Sequence, residues 1–172
     1  MAKWRSEESR EEHIAFHYAV LRFIFSAVNQ LTDVKNIIET GIAEGMSGKI
    51  MLESCPNAKY IGYDKWNKPE VEAVARKRLN EFKDRIDIRT ENTNEIKEFS
   101  KADLIYVDGD HTTQGCLNDL HNASKALNPK GYIIVHDLNF PPVQKALELW
   151  QKERAWKFIH IKTACEYGIY WR

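Results

Sequence analysis

Several short segments of this 172-residue chain carry side chains that could act together chemically. The first is Glu39-Thr40-Gly41-Ile42-Ala43-Glu44-Gly45-Met46-Ser47-Gly48, an acid and then glycines running into a helical segment. Glycine there permits a positive φ and lets a ligand come close to the backbone. The helix start offers unpaired N–H groups to a carboxylate or a phosphate. A P-loop would need G-x-x-x-x-G-K-[ST]; set on Gly48-Lys49, its remaining positions are filled by Ala43 and Ile50. The dinucleotide fingerprint G-x-G-x-x-G fails at the same alanine, which stands where the backbone must approach a pyrophosphate. What remains, an acid followed by G-x-x-x-G-x-S, suits a ligand with a carboxylate and no phosphate.

Asp64 closes the run Tyr60-Ile61-Gly62-Tyr63-Asp64. It follows the glycines by about 20 residues, the place from which an acid binds ribose hydroxyls. Two other apolar runs end in Asp108-Gly109-Asp110-His111 and in His136-Asp137. An imidazole can take up a proton near neutral pH, and a carboxylate beside it can orient it. Taken singly, each feature has a plainer reading: a tight turn, a loop cap, a strand end. Their order (acid, glycines, helix, strand, acid) sets them apart.

Positioning these groups requires strands that end together. Residues 36–39, 59–63, 86–89, 102–107 and 132–136 read as strands. Between them residues 47–54, 69–82, 94–99, 113–127 and 142–153 read as helices, the second with Pro69 at its favoured first position. Residues 128–131, Asn-Pro-Lys-Gly, read as a turn. Two closing strands, 156–162 and 166–171, are joined by about three residues, which forces them antiparallel. Ahead of all this, residues 6–31 place Ile14, Tyr18, Leu21, Phe25 and Val28 at helical spacing, with acids crowding the first turns. The expected fold is α/β: a doubly wound, mostly parallel seven-stranded sheet with a C-terminal antiparallel hairpin and helices on both faces. In such sheets ligands bind beyond the carboxyl ends of the strands, where strand order reverses.

From residue 36 to the end the chain resembles the class I S-adenosylmethionine-dependent methyltransferases. The glycine turn, Asp64, the closing hairpin, Asp103-Leu-Ile-Tyr-Val-Asp-Gly-Asp-His111 and Gly131-Tyr-Ile-Ile-Val-His-Asp137 are similar to small O-methyltransferases of the catechol and macrolide-sugar type. The resemblance implies a Rossmann-like single domain, with residues 1–33 a helical extension and 34–172 the cofactor-binding core. It implies that Glu39 and the backbone from Gly41 through Gly45 to Ser47 face the methionine part of the cofactor. Asp64 would take the ribose hydroxyls, Lys65 or Trp66 would lie beside the adenine, Asn92 and Thr93 near its amine, and Asp108 at the sulfonium. The implied reaction is methyl transfer to a hydroxyl of a small molecule or sugar, for which the protein aligns the reactants and removes a proton.

Metal-dependent members of that group hold one divalent cation on carboxylates after the fourth and fifth strands, and Asp108 and Asp137 match those positions. An oxygen-rich site suits Mg²⁺. The residue after Asp137, which would supply another ligand, is Leu138, a departure from the pattern. Without a metal, His111 or His136 is the general base. His13 and His17 lie one helical turn apart, a spacing that could chelate a metal; no H-E-x-x-H pattern surrounds them, and packing is the plainer reading.

Lys plus Arg number 25 and Asp plus Glu 25, so no overall field recruits nucleic acid or an anionic membrane. Asn139-Phe140-Pro141-Pro142 has the residues of an amino-methylating tetrapeptide in the wrong order. Three scattered cysteines fit a reducing compartment. The charged run at 6–12 argues against a signal peptide, and no run approaches the roughly 20 apolar residues of a membrane span. The expectation is a cytoplasmic protein with a small-molecule acceptor and neither nucleic acid nor membrane as partner. Only the first helix and loops 66–69 and 138–142 could build a lid. A homo-oligomer could therefore complete the site, or the fold could serve as a non-catalytic cofactor-binding module acting through a partner.

Overall fold

The computed structural model describes residues 7–163 and 165–172. Ser6, the first residue of the expected helix, and Ala164, in the last connection, lie outside them. The chain begins with α1 (Glu7–Thr32), then β1 (Asn36–Thr40), α2 (Met46–Ser54), β2 (Lys59–Asp64) and α3 (Pro69–Leu79). A 3₁₀ segment, Asn80–Arg85, leads into β3 (Ile86–Thr90). The order continues with β4 (Ala102–Val107), α4 (Thr113–Ala126), β5 (Leu127–Val135), α5 (Pro141–Glu153), β6 (Lys157–Ile161) and β7 (Tyr167–Trp171).

The seven strands form one sheet in the order β3-β2-β1-β4-β5-β7-β6. The first five are parallel, and β7 pairs antiparallel with both β5 and β6. Strand order reverses between β1 and β4, which makes their carboxyl ends the switch point. Side chains alternate along each strand. On β4, Leu104 and Tyr106 enter the core beneath α1, α2 and α3, while Ile105 and Val107 enter the core beneath α4 and α5. The fold is therefore the doubly wound, mostly parallel seven-stranded sheet with a closing antiparallel hairpin that the alternation of runs implies.

Three local expectations are corrected. Residues 94–99 do not form a helix: only Thr93–Glu95 makes a 3₁₀ turn. Asn92 caps that turn through its side chain, and Ile96 already has extended backbone. The turn at 128–131 is absorbed into β5, which starts at Leu127 directly after α4. Its register against β4 slips between Ala102 and Leu104, with Lys130 at φ 69. A bulge absorbs the extra residues that a turn would have used. The helix expected over 69–82 is α-helical only to Leu79 and tightens to 3₁₀ beyond it.

By length and composition, α1 also departs from the expectation that no segment could span a bilayer. Its stretch Glu11–Thr32 reaches a mean hydropathy of 1.2. Leu21, Ile24, Phe25 and Val28 are buried in the core that includes Ile50, Met51 and Leu52 of α2. Phe16, Phe23 and Leu31 face outward.

Candidate functional site

The glycine turn is built from left-handed backbone. Gly41, Ala43 and Gly45 have φ of 83°, 46° and 79°. At Gly41 a Cβ would lie 2.0 Å from the Asp108 carbonyl oxygen, so only glycine lets the end of β1 pass the end of β4 this closely. Gly45 precedes the first residue of α2, and its Cβ would meet Ala75 and Leu79 of α3 at 3.3 Å. Gly45 thus serves helix packing. Ala43, which breaks both nucleotide fingerprints, adopts the glycine-like conformation and donates its N–H to Asp64 Oδ2 at 2.8 Å.

Asp64 ties this turn to the next loop, since its Oδ1 accepts from the Trp66 N–H at 2.8 Å and the Trp66 indole N–H donates to the Ala43 carbonyl at 2.9 Å. Each carboxylate oxygen keeps a further lone pair for a hydroxyl. Beside them opens a cleft of about 480 Å³ over the switch point. It brings together Gly41, Asp64, Lys65, Asn92, Thr93, Asp108 and His111 of the expected site, and adds Ala43, Tyr63, Glu91, Gly109 and Asp110. A groove of about 650 Å³ lies near the opposite strand ends, between Lys101, Leu127 and Trp156, away from all of these groups.

Glu39, Gly45 and Ser47 are not among the residues lining the cleft. Glu39 is fully buried, and its carboxyl accepts from the Ser47 and Tyr60 hydroxyls. Burial pushes its pKa up to about 8, against the opposing pull of those two hydrogen bonds. It is a neutral acid locking β1, α2 and β2 together.

Beyond Asp108 the structure gathers Asp108, His111, His136 and Asp137 into one cluster, with ligand atoms within 4.8 Å of one another. His111 Nε2 is 3.0 Å from Asp137 Oδ2 and 3.5 Å from Asp108 Oδ1, and its Nδ1 is 3.0 Å from the Gly109 carbonyl. His136 Nδ1 is 3.0 Å from Asp108 Oδ1 and 3.4 Å from Asp137 Oδ2. The two imidazoles differ in access, with side chains 38% and 10% exposed, so His111 meets the cleft and His136 stands behind it.

The hydrogen bond from Asp137, outweighing burial, raises the pKa of His111. Burial pulls His136 down, but Asp108 and Asp137 outweigh it and hold the imidazole well above its usual range. Asp137 is held well below the ordinary carboxylate range: burial raises it, and the hydrogen bonds from both imidazoles overcome that. The donors are thus two carboxylates already paired with two imidazoles. Leu138 is buried in the core where another oxygen would be needed. This set does not fit an oxygen-rich Mg²⁺ site.

Two groups near the site escaped the sequence reading. Asp119 of α4 is fully buried under the Asp108-Gly109 turn, with its Oδ2 3.0 Å from where a Cβ on Gly109 would stand. Burial raises its pKa to about 6. His17 and Cys165 also meet His136, and the one-turn spacing of His13 and His17 was the available signal for half of that group. The remaining histidines pair at the surface, His121 with Glu153 and His160 with Glu166.

A family model described as a methyltransferase domain matches residues 38–138, from β1 through the Asp108 and Asp137 segments. The chain belongs to that methyltransferase family. Among curated proteins, the uncharacterized protein R132 of Acanthamoeba polyphaga mimivirus is 25% identical over 150 residues, covering 79% of this chain and 65% of that protein. The chain thus spans somewhat less than two thirds of that relative's length. Among solved structures, the SAH-bound Podospora anserina methyltransferase PaMTH1 superposes with a TM-score of 0.71 at 15% identity, covering 98% of this chain and 83% of that one. The Streptomyces achromogenes O-methyltransferase TomG, solved in complex with SAM, gives a TM-score of 0.68 at 12% identity, covering 90% and 78%. At these identities the structures speak to the fold, which places the methyltransferase domain's switch-point cleft in a shared architecture.

Proposed function

We propose that this methyltransferase domain binds S-adenosylmethionine in the switch-point cleft and transfers its methyl group to a hydroxyl of a small molecule or sugar. The observation that carries the reading is the acid-rich lining of the cleft. Asp64, Glu91, Asp108 and Asp110 face it against Lys65 and His111, which suits a ligand carrying a sulfonium and an ammonium and disfavours a pyrophosphate. Asp64 presents its spare lone pairs to the ribose hydroxyls, and residues 91–93 border the base. The bound cofactor supplies a methyl group on a positively charged sulfur.

His111 is the proton acceptor in this reading. With its Nδ1–H held by the Gly109 carbonyl, the neutral tautomer leaves Nε2 to accept. An acceptor hydroxyl would reach that nitrogen by displacing Asp137, whose carboxylate stays beside the imidazolium that forms. Calorimetric titration with S-adenosylmethionine and S-adenosylhomocysteine tests the cofactor: saturable binding of both is expected, and no binding by folded protein overturns the reading.

The mutual neutralisation of the cluster also favours a second reading, a cofactor-binding module without transfer, because both His111 nitrogens are engaged within the protein itself. Conversion of S-adenosylmethionine to S-adenosylhomocysteine in the presence of catechols and sugars separates the two. Turnover belongs to the enzyme, whereas binding without turnover belongs to the module.

A further inference from the structure

A second constellation lies behind the candidate active site. His17 of α1, His136 after β5 and Cys165 before β7 bring their ligand atoms within 4.8 Å of one another. His13, one turn before His17, places Nε2 3.7 Å from Cys165 Sγ. In a tetrahedral zinc site with usual bond lengths, a nitrogen and a sulfur ligand are about 3.6 Å apart. The His136 side chain is nine-tenths buried, and its buried Nε2 lies on the side of the Cys165 thiol, which hydrogen-bonds the imidazole. Its other nitrogen is fixed by Asp108, the carboxylate–histidine arrangement that orients metal-binding imidazoles. His17 is likewise oriented, its Nδ1 bonded to the Tyr167 hydroxyl, which leaves Nε2 available.

We propose that His17, His136 and Cys165 form a tetrahedral site, with water in the fourth position, for a borderline-soft divalent ion such as Zn²⁺. Two imidazoles and one thiolate are a donor set that zinc accepts and Mg²⁺ does not. Binding displaces to solvent the Cys165 thiol proton and the Nε2 proton of His136, whose Nδ1–H stays on Asp108. The ion would clamp three parts of the chain that are far apart in sequence: α1, the end of β5 and the β6–β7 connection. It would also hold His136 against Asp108, at the wall of the proposed methyl-transfer site. The site stands apart from that reading, because metal binding is measured without cofactor or acceptor.

Co²⁺ titration of the metal-free protein, followed by absorption, is the test. One ion per chain is expected, with the strong visible bands of tetrahedral cobalt and a thiolate charge-transfer band. Cys55 and Cys116 are buried, so among the described residues that band would report Cys165. C165S should lose the band and tight uptake, whereas H111A should retain both, because His111 belongs only to the carboxylate cluster. Zn²⁺ should raise the melting temperature of the wild type and H111A but not of C165S, with circular dichroism confirming that each variant is folded. C165A replaces C165S if the serine variant does not fold. Failure of folded wild type to take up Co²⁺ overturns the proposal. So does uptake without a charge-transfer band that persists in C165S and vanishes in H111A, which would assign the ion to the carboxylate cluster.

Discussion

Replacing Glu39 with Gln tests whether the first acid of the glycine turn is a buried neutral group. Glu39 is inaccessible to solvent, hydrogen-bonded by Ser47 and Tyr60, and its pKa is raised by burial from 4.5 to about 8. A carboxyl whose folded pKa lies above its unfolded value contributes stability that is fully present below about pH 4.5. That contribution declines as pH rises and is exhausted above about pH 8. Integrating between these limits, the wild type should lose about 3.5 kcal/mol relative to Glu39→Gln between pH 5 and pH 8. Glutamine keeps the shape and an acceptor oxygen but has no proton to lose. Urea unfolding of both proteins at pH 5, 6.5 and 8 gives the difference directly, and groups that titrate identically in both cancel. A difference that stays flat within about 0.5 kcal/mol across this range, against the expected 3.5, would refute the reasoning. It would mean that Glu39 ionises near its ordinary pKa and is open to solvent.

Asp119→Asn should behave similarly over a more acidic window. Burial raises Asp119 from 3.8 to about 6, so its contribution to stability is lost as pH climbs through that interval. Above pH 6 the asparagine variant should gain up to about 3 kcal/mol on the wild type in urea unfolding, and no gain would contradict the assignment. Gly41→Ala combines a left-handed backbone position with a Cβ placed 2.0 Å from the Asp108 carbonyl oxygen. It should cost about 2–4 kcal/mol in the same assay and weaken S-adenosylmethionine binding, whereas an unchanged unfolding midpoint would show that β4 yields freely. If methyl transfer is observed, His111→Asn should lower kcat by about 100-fold or more with cofactor affinity little changed. Equal loss of affinity would make His111 a cofactor-positioning residue instead of the base.

Much of the fold was legible because strand and helix periods differ, and because a short final connection leaves two strands no choice but to run antiparallel. The departures occurred where a tertiary partner overrode local pattern. At 128–131, Pro129 and Gly131 read as a turn, yet the segment is carried within β5 as an irregularity, because Leu127 before it and Tyr132 after it both pair with β4. At 94–99 the helical pattern lost to the Asn92 cap, to Asn118, which donates to the Asn94 side chain at 3.3 Å, and to Asn122, which donates to the Ile96 carbonyl at 3.1 Å.

For the site, the sequence by itself fixed which residues end strands. Asp64, Asp108, His111, His136 and Asp137 all lie at or just after the carboxyl ends of parallel strands, because a parallel sheet brings those ends to one rim. Tertiary structure decided which of them face the cleft. Glu39 is one residue from the end of β1, but side chains alternate along a strand, and the face it occupies is filled by Tyr60 and the start of α2. His111 and His136 are equivalent on paper; the packing of α1 and Tyr167 against His136 leaves only His111 exposed to the cleft. The convergence of His13, His17, His136 and Cys165 spans more than 150 residues, as the separation of His13 and Cys165 shows. It depends on α1 crossing the sheet at the end of β5, and no periodicity encodes where one element lands on another.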